Sequence, residues 1–175
     1  MGNTESLPYF KDGTVFIELE GNSIGIVSGD EISGTVHLNL EKNIKCTHFT
    51  VALMGYDVAS YMQKANSNYY RVIDSTPICN QEHVLEQILT LDLEPGQFSY
   101  PFTIKIPEWL PPSLIVATDD NNECRGEIKY KLLAQIVPLD DENWADKKNK
   151  VSKLRGERLL IVQKPQCQVP APSSL

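Results

Sequence analysis

Gly29-Asp30-Glu31-Ile32-Ser33-Gly34-Thr35-Val36-His37-Leu38-Asn39-Leu40 decides the fold class. Ile32, Val36, Leu38 and Leu40 point one way, and Ser33, Thr35, His37 and Asn39 point the other. A period of two belongs to a strand with one oily face and one wet face. The same alternation recurs outward from this stretch. Val15, Ile17 and Leu19 oppose Glu18 and Glu20, and Phe49, Val51 and Leu53 oppose Thr50, Ala52 and Met54. Phe98, Tyr100, Phe102, Ile104 and Ile106 oppose Ser99, Pro101, Thr103, Lys105 and Pro107. Ile128, Tyr130, Leu132, Ala134 and Ile136 follow, and Leu159 to Val162 is the last apolar run.

Turn chemistry separates these runs: Gly21-Asn22, Ser28-Gly29-Asp30, Pro95-Gly96, Pro111-Pro112 and Asp119 to Asn122. Many short half-buried strands with few helical patterns predict an all-β fold, a two-layer antiparallel β-sandwich. Gln81 to Leu91 is read as a strand, and Trp144 to Lys150 as one helical turn. Met62 to Gln81 and Asp140 to Leu154 read as long loops, which in a compact domain are usually functional or disordered. The expected organisation is an N-terminal segment over 1–12, one sandwich over 13–165, and a proline-rich tail over 166–175.

Composition narrows the function. The 175 residues are 41% hydrophobic and carry a formal charge of -7, enough apolar material for one core. A negative chain has no global attraction for a nucleic-acid backbone. Cys46, Cys79, Cys124 and Cys167 are widely spaced with no CxxC pair, and they read as reduced, mostly buried thiols of an intracellular protein. No run is apolar and long enough to cross a bilayer. Met1-Gly2-Asn3-Thr4-Glu5-Ser6 fits the N-myristoylation pattern, which makes Gly2 the candidate lipidation site. One myristoyl chain gives only reversible membrane contact, so stable attachment needs a second signal.

Gly29-Asp30-Glu31-Ile32-Ser33-Gly34-Thr35-Val36 resembles a strand opening of arrestin N-domains. Val51 to Gly55 follows at the family distance. Pro95-Gly96, Tyr100-Pro101-Phe102 and Leu110-Pro111-Pro112-Ser113 resemble the family's "PG…FPF…LPPSF" segment. Gly126-Glu127-Ile128-Lys129-Tyr130 and Arg158 to Val162 complete the order, from about Val15 to Pro165. The resemblance implies an immunoglobulin-like arrestin N-domain. It also implies an adaptor that binds membrane cargo tails, ubiquitin ligases or sorting machinery in endocytic trafficking, in the cytoplasm or peripheral on plasma membrane or endosomes.

The departures from the family pattern matter. Ile17-Glu18 stands where visual and beta-type arrestins carry a phosphate-reading lysine pair, and Val162 where they place a phosphate-sensitive arginine. A valine cannot pair with a phosphate. The chain therefore looks more like the alpha-arrestin, arrestin-domain-containing branch. The PPxY motif of that branch is absent, because Pro111-Pro112 is followed by Ser113-Leu114. Arrestins pair two sandwiches and this length holds one, so the resemblance implies either an N-domain whose second domain is missing from this chain or a free-standing domain. The alternative is a structural subunit of a sorting coat like the retromer arrestin-like subunit.

No catalytic residue, metal ligand or cofactor site is expected. Gly21-Asn22-Ser23-Ile24-Gly25 matches the hydrolase elbow G-x-S-x-G, but that elbow needs a helix after it, and Ile26 to Asp30 is a short apolar pair and a turn. His37, His48 and His83 lack paired ligand spacing. The one candidate anion- or phosphate-binding patch is Lys147, Lys148, Lys150, Lys153, Arg155 and Arg158, with Asp140, Asp141, Glu142, Asp146 and Glu157 beside it to cancel much of the field.

Overall fold

A computed structural model describes residues 13–21, 24–87, 92–117, 124–138 and 154–165. Every regular element in these segments is a strand. They are β1 (Gly13–Leu19), β2 (Ile24–Val27), β3 (Glu31–Leu40), β4 (Ile44–Ala65), β5 (Asn68–Gln87), β6 (Asp92–Leu93), β7 (Gly96–Lys105), β8 (Leu114–Ala117), β9 (Cys124–Pro138) and β10 (Arg155–Gln163). They form two sheets: a small one ordered β1-β3-β7, and a large one ordered β2-β10-β9-β4-β5 with β6 on β4 and β8 on β9. All pairings are antiparallel except β10 with β2, which is parallel.

The core lies between the sheets and uses the apolar sets read from the alternation. Val36, Leu38 and Ile104 from the small sheet meet Phe49, Val51, Leu53, Tyr130 and Leu132 from the large one, all at most 1% exposed. Leu160 and Val162 of β10 point inward, while Leu159 and Ile161 point out. Two expectations fail. Thr50 and Ala52, on the outward side of β4, are also buried, where this strand is paired on both edges, by β9 and by β5. Met62 to Gln81 is not a loop. It is the distal half of a long hairpin in which Ala65 pairs with Asn68 and Asn66 takes a left-handed φ of 56° in the two-residue turn. Residues 68–71 and 73–77 are exposed, so the segment lacked the wet/oily alternation that marks a half-buried strand.

The segment after β7 straps the two layers together. Ile106 donates to the Asp30 carbonyl, Leu110 donates to Pro107, and the Leu110 carbonyl accepts from the Ser28 hydroxyl at 3.1 Å. Pro111 and Pro112 cannot extend a ladder, as expected, and they turn the chain from one sheet to the other. Ser113 closes the strap: its N–H donates to the Val162 carbonyl at 2.8 Å, and its hydroxyl accepts from the Val162 N–H at 3.0 Å. Ser113→Ala orphans that part-buried N–H and is expected to cost about 1–2 kcal/mol. Thermal unfolding would register this as a melting point lower by several degrees, roughly 2–4 °C per kcal/mol for a chain of this size.

Candidate functional site

Ser113 sits at a fork. Along one edge of β9, residues from Gln135 to Tyr130 pair with Arg155 to Leu160 of β10, and residues from Ile128 to Arg125 pair with Leu114 to Ala117 of β8. Strand β10 leaves β9 after Leu160 to run beside β2, and β8 takes over its lane. Between the diverging strands lies a groove of about 500 Å³, lined by Leu114, Ile115, Ile128, Leu159 and Ile161 among others. A second hollow of about 310 Å³ adjoins it over Tyr56, Ser75, Lys129, Lys131, Glu157 and Leu159.

Beyond the fork the large sheet is open. Leu114, Ile115 and Val116 are 50%, 67% and 53% exposed, and among the described residues no strand pairs with the outer edge of β8. Three other edge strands carry protection: β1 presents Glu18, β7 holds Pro101, and β5 holds Pro77, Arg71 and Asp74. Charges and prolines of this kind blunt a strand edge against pairing. Strand β8 has neither, as is also true of the edge strand β2, and its shortness is its only blunting feature.

Buried ionisable groups near the fork are structural. Tyr130 is 1% exposed and donates to the Pro111 carbonyl at 2.7 Å. Burial, and then the nearby Cys79 sulfur, push its phenol up to about 12. Burial likewise raises the thiols of Cys46 and Cys79, which makes them poor nucleophiles at neutral pH. Cys46, Cys79 and Cys124 are all in thiol form; Cys46 is buried and Cys79 half-buried, whereas Cys124 is exposed, against the expectation of mostly buried thiols.

Of the candidate cationic patch, Arg155 and Arg158 are described. They lie an odd number of residues apart on β10 and so take opposite faces: Arg155 is exposed on the outer side and Arg158 is half-buried on the inner side. Lys147, Lys148, Lys150 and Lys153 lie outside the described residues, as do Gly2, Ser23, Cys167 and the helical turn expected at Trp144 to Lys150. A strand, β2, follows Ser23 where the hydrolase elbow requires a helix. His37 makes the one linear constellation sequence reading missed: its Nε2 meets Glu18 Oε2 at 3.0 Å and its Nδ1 meets Ser99 Oγ at 3.0 Å. The three residues come from adjacent strands of an exposed sheet face with Phe16 stacked beside them, and neither groove reaches them. On an exposed sheet face, with the three side chains in line across adjacent strands, this arrangement is a cross-strand clasp. No group of three His, Cys, Asp or Glu among the described residues is placed to hold a metal ion.

A family model described as "Arrestin (or S-antigen), N-terminal domain" matches residues 17–162. The chain belongs to the arrestin family. No curated protein matches it. Among solved structures, the sporulation control protein Spo0M from Bacillus subtilis aligns over 88% of this chain with a TM-score of 0.52 and 14% identity. At that identity the likeness concerns the fold alone. This arrestin domain spans 50% of the Spo0M chain, about half its length. Among the described residues no helix is long and apolar enough to cross a membrane.

Proposed function

We infer that this arrestin-family domain is a non-enzymatic adaptor that captures an extended segment of a partner protein as an added strand on β8. The observation that carries the reading is the exposed, uncharged, proline-free Leu114–Ala117 edge in register with β9. An added strand satisfies the open N–H and C=O groups, and its alternate side chains pack on the apolar residues around the fork. The partners that fit the family are membrane cargo tails and the ligase or sorting proteins that act on them. The departures at Ile17-Glu18 and Val162 favour the alpha-arrestin branch, in which a second sandwich and a ligase-recruiting tail complete the adaptor. Its place of work is the cytoplasm, peripheral on plasma membrane or endosomes, with Gly2 as the acylation site and the basic stretch from Lys147 to Arg158 as an auxiliary anion contact.

The test is affinity capture from cells with the parent chain and with Val116→Lys, quantified by mass spectrometry. Val116 is 53% exposed, so a lysine there charges the edge without emptying the core. The expected outcome is a defined set of partners depleted about tenfold, equivalent to about 1.4 kcal/mol of binding. Equal recovery by parent and variant would remove β8 from the adaptor account.

A further inference from the structure

The outer face of the large sheet carries a charge opposite to the chain as a whole. Register and alternation place Lys64, Arg71, Arg125, Lys129, Lys131 and Arg155 on this face, with Glu82, Glu127 and Glu157 as its acids. Among the described residues these six cations and three acids give +3, while the whole chain carries -7, so the remainder holds -10. The opposite side of the same overhang presents Asp57 and Asp74. Two of the three acids on the outer face are engaged: Glu127 pairs with Arg125 and sits 3.8 Å from Lys129, and Glu157 sits 2.9 Å from Lys131.

Large apolar side chains are interleaved with these cations. Tyr69, Ile73, Ile115 and Leu159 are 65–67% exposed, and Met62 and Ile161 are 38% and 45% exposed. They are spread across β5, β4, β8 and β10, a width of roughly 14 Å at ordinary strand spacing. One extended peptide occupies a single lane of such a surface and leaves most of it bare. A bilayer surface covers all of it: basic residues attract anionic headgroups while apolar side chains enter the interface.

We propose that the outer face of the β5-β4-β9-β8/β10 sheet docks on anionic lipid bilayers, through Lys64, Lys129 and their cationic neighbours and through the apolar tips of Tyr69, Ile73, Ile115 and Leu159. This docking does not depend on the adaptor reading. A strand added to β8 lies in the plane of the sheet and leaves the outer face of β9, β4 and β5 bare, so the two contacts are compatible and fail separately. The face also supplies the second signal that a single acyl chain at Gly2 would require.

The experiment is co-sedimentation of the unacylated 175-residue chain with vesicles of phosphatidylcholine alone and with about one-third phosphatidylserine. The expected result is partition onto the serine-containing vesicles only, lost at about 1 M salt, where the Debye length falls to roughly 3 Å. Lys64→Glu with Lys129→Glu should reduce partition at least about tenfold. Ile115→Ser with Leu159→Ser should reduce it several-fold at unchanged charge. Lys105→Glu, on an exposed position of the other sheet, should leave it within about twofold. Absence of binding to anionic vesicles overturns the proposal. Equal losses for Lys105→Glu and Lys129→Glu overturn it as well, by showing a net-charge effect. Retention by soluble polyglutamate without vesicle binding overturns it in favour of an acidic protein partner. Lys64→Glu with Lys129→Glu leaves β8 and the apolar residues around the fork intact, so with that variant capture of partner proteins reads out independently.

Discussion

Gly34→Ala is expected to destabilise the domain by about 3 kcal/mol, whereas the same change at Gly126 should be neutral or slightly stabilising. Both glycines lie inside strands, β3 and β9, with negative φ, so their backbone conformations suit any residue. On propensity alone, glycine in a strand interior is worse than alanine by roughly 0.5–1 kcal/mol. Space decides the sign. A Cβ at Gly34 would run into the Glu18 carbonyl of β1 and stand 2.9 and 3.0 Å from ring atoms of Phe102. Phe102 is the partner of Gly34 across the β3–β7 ladder, and its ring lies over the missing side chain. The backbone carbonyl cannot retreat without opening the β1–β3 ladder, and the ring is 7% exposed with little room to turn. A Cβ at Gly126 meets nothing within 4 Å. Chemical denaturation of the two variants beside the parent checks the contrast; equal stability of Gly34→Ala and parent would refute the close approach.

Gly34 also shows what was legible in the sequence. A glycine amid β-branched residues marks a bulge or a close approach, and here it is the close approach; Gly55 combines both, with a register shift beside it and Tyr130 and Cys79 over it. The strands of the sandwich proper were readable because each has one face against the other sheet, and burial imposes the alternation. The overhang was not readable for the same physical reason. Where the hairpin from Tyr61 to Pro77 runs past the small sheet, no buried face exists to enforce a pattern, and Tyr69, Tyr70 and Ile73 are as wet as Ser75. Strands β2, β6 and β8 have four residues or fewer, too short for a period to show. The candidate surface inherits this blindness. Its cations come from β4, β5, β9 and β10 and stand side by side only once the register is known, whereas the basic stretch from Lys147 to Arg158 is contiguous in sequence and so drew attention first.

Tyr130 carries the second large effect, and it depends on pH. The phenol is buried against Gly55, where ring atoms stand 2.6 and 2.8 Å from the site a Cβ would occupy, and its hydroxyl holds the Pro111 carbonyl of the strap. Its folded pKa of about 12 lies above the ordinary tyrosine value near 10. A raised pKa means that the folded state holds the proton more tightly than the unfolded state. The stability linked to that proton is fully present below about pH 10 and is lost as pH climbs through 12. Two units correspond to about 2–3 kcal/mol, and Tyr100, raised by burial and by Glu86 and Cys46, adds in the same direction. Tyr130→Phe should cost about 1–2 kcal/mol at neutral pH, because the Pro111 carbonyl loses its donor. Between pH 10 and 12 the variant should lose less further stability than the parent, so the two curves converge. Urea unfolding across that window measures the convergence, and the tyrosinate absorbance that appears together with unfolding should be smaller in Tyr130→Phe than in the parent. Parallel curves would mean that ionisation of Tyr130 is not coupled to the fold, and the strap would then owe its position to Ser28 and Ser113 rather than to the phenol.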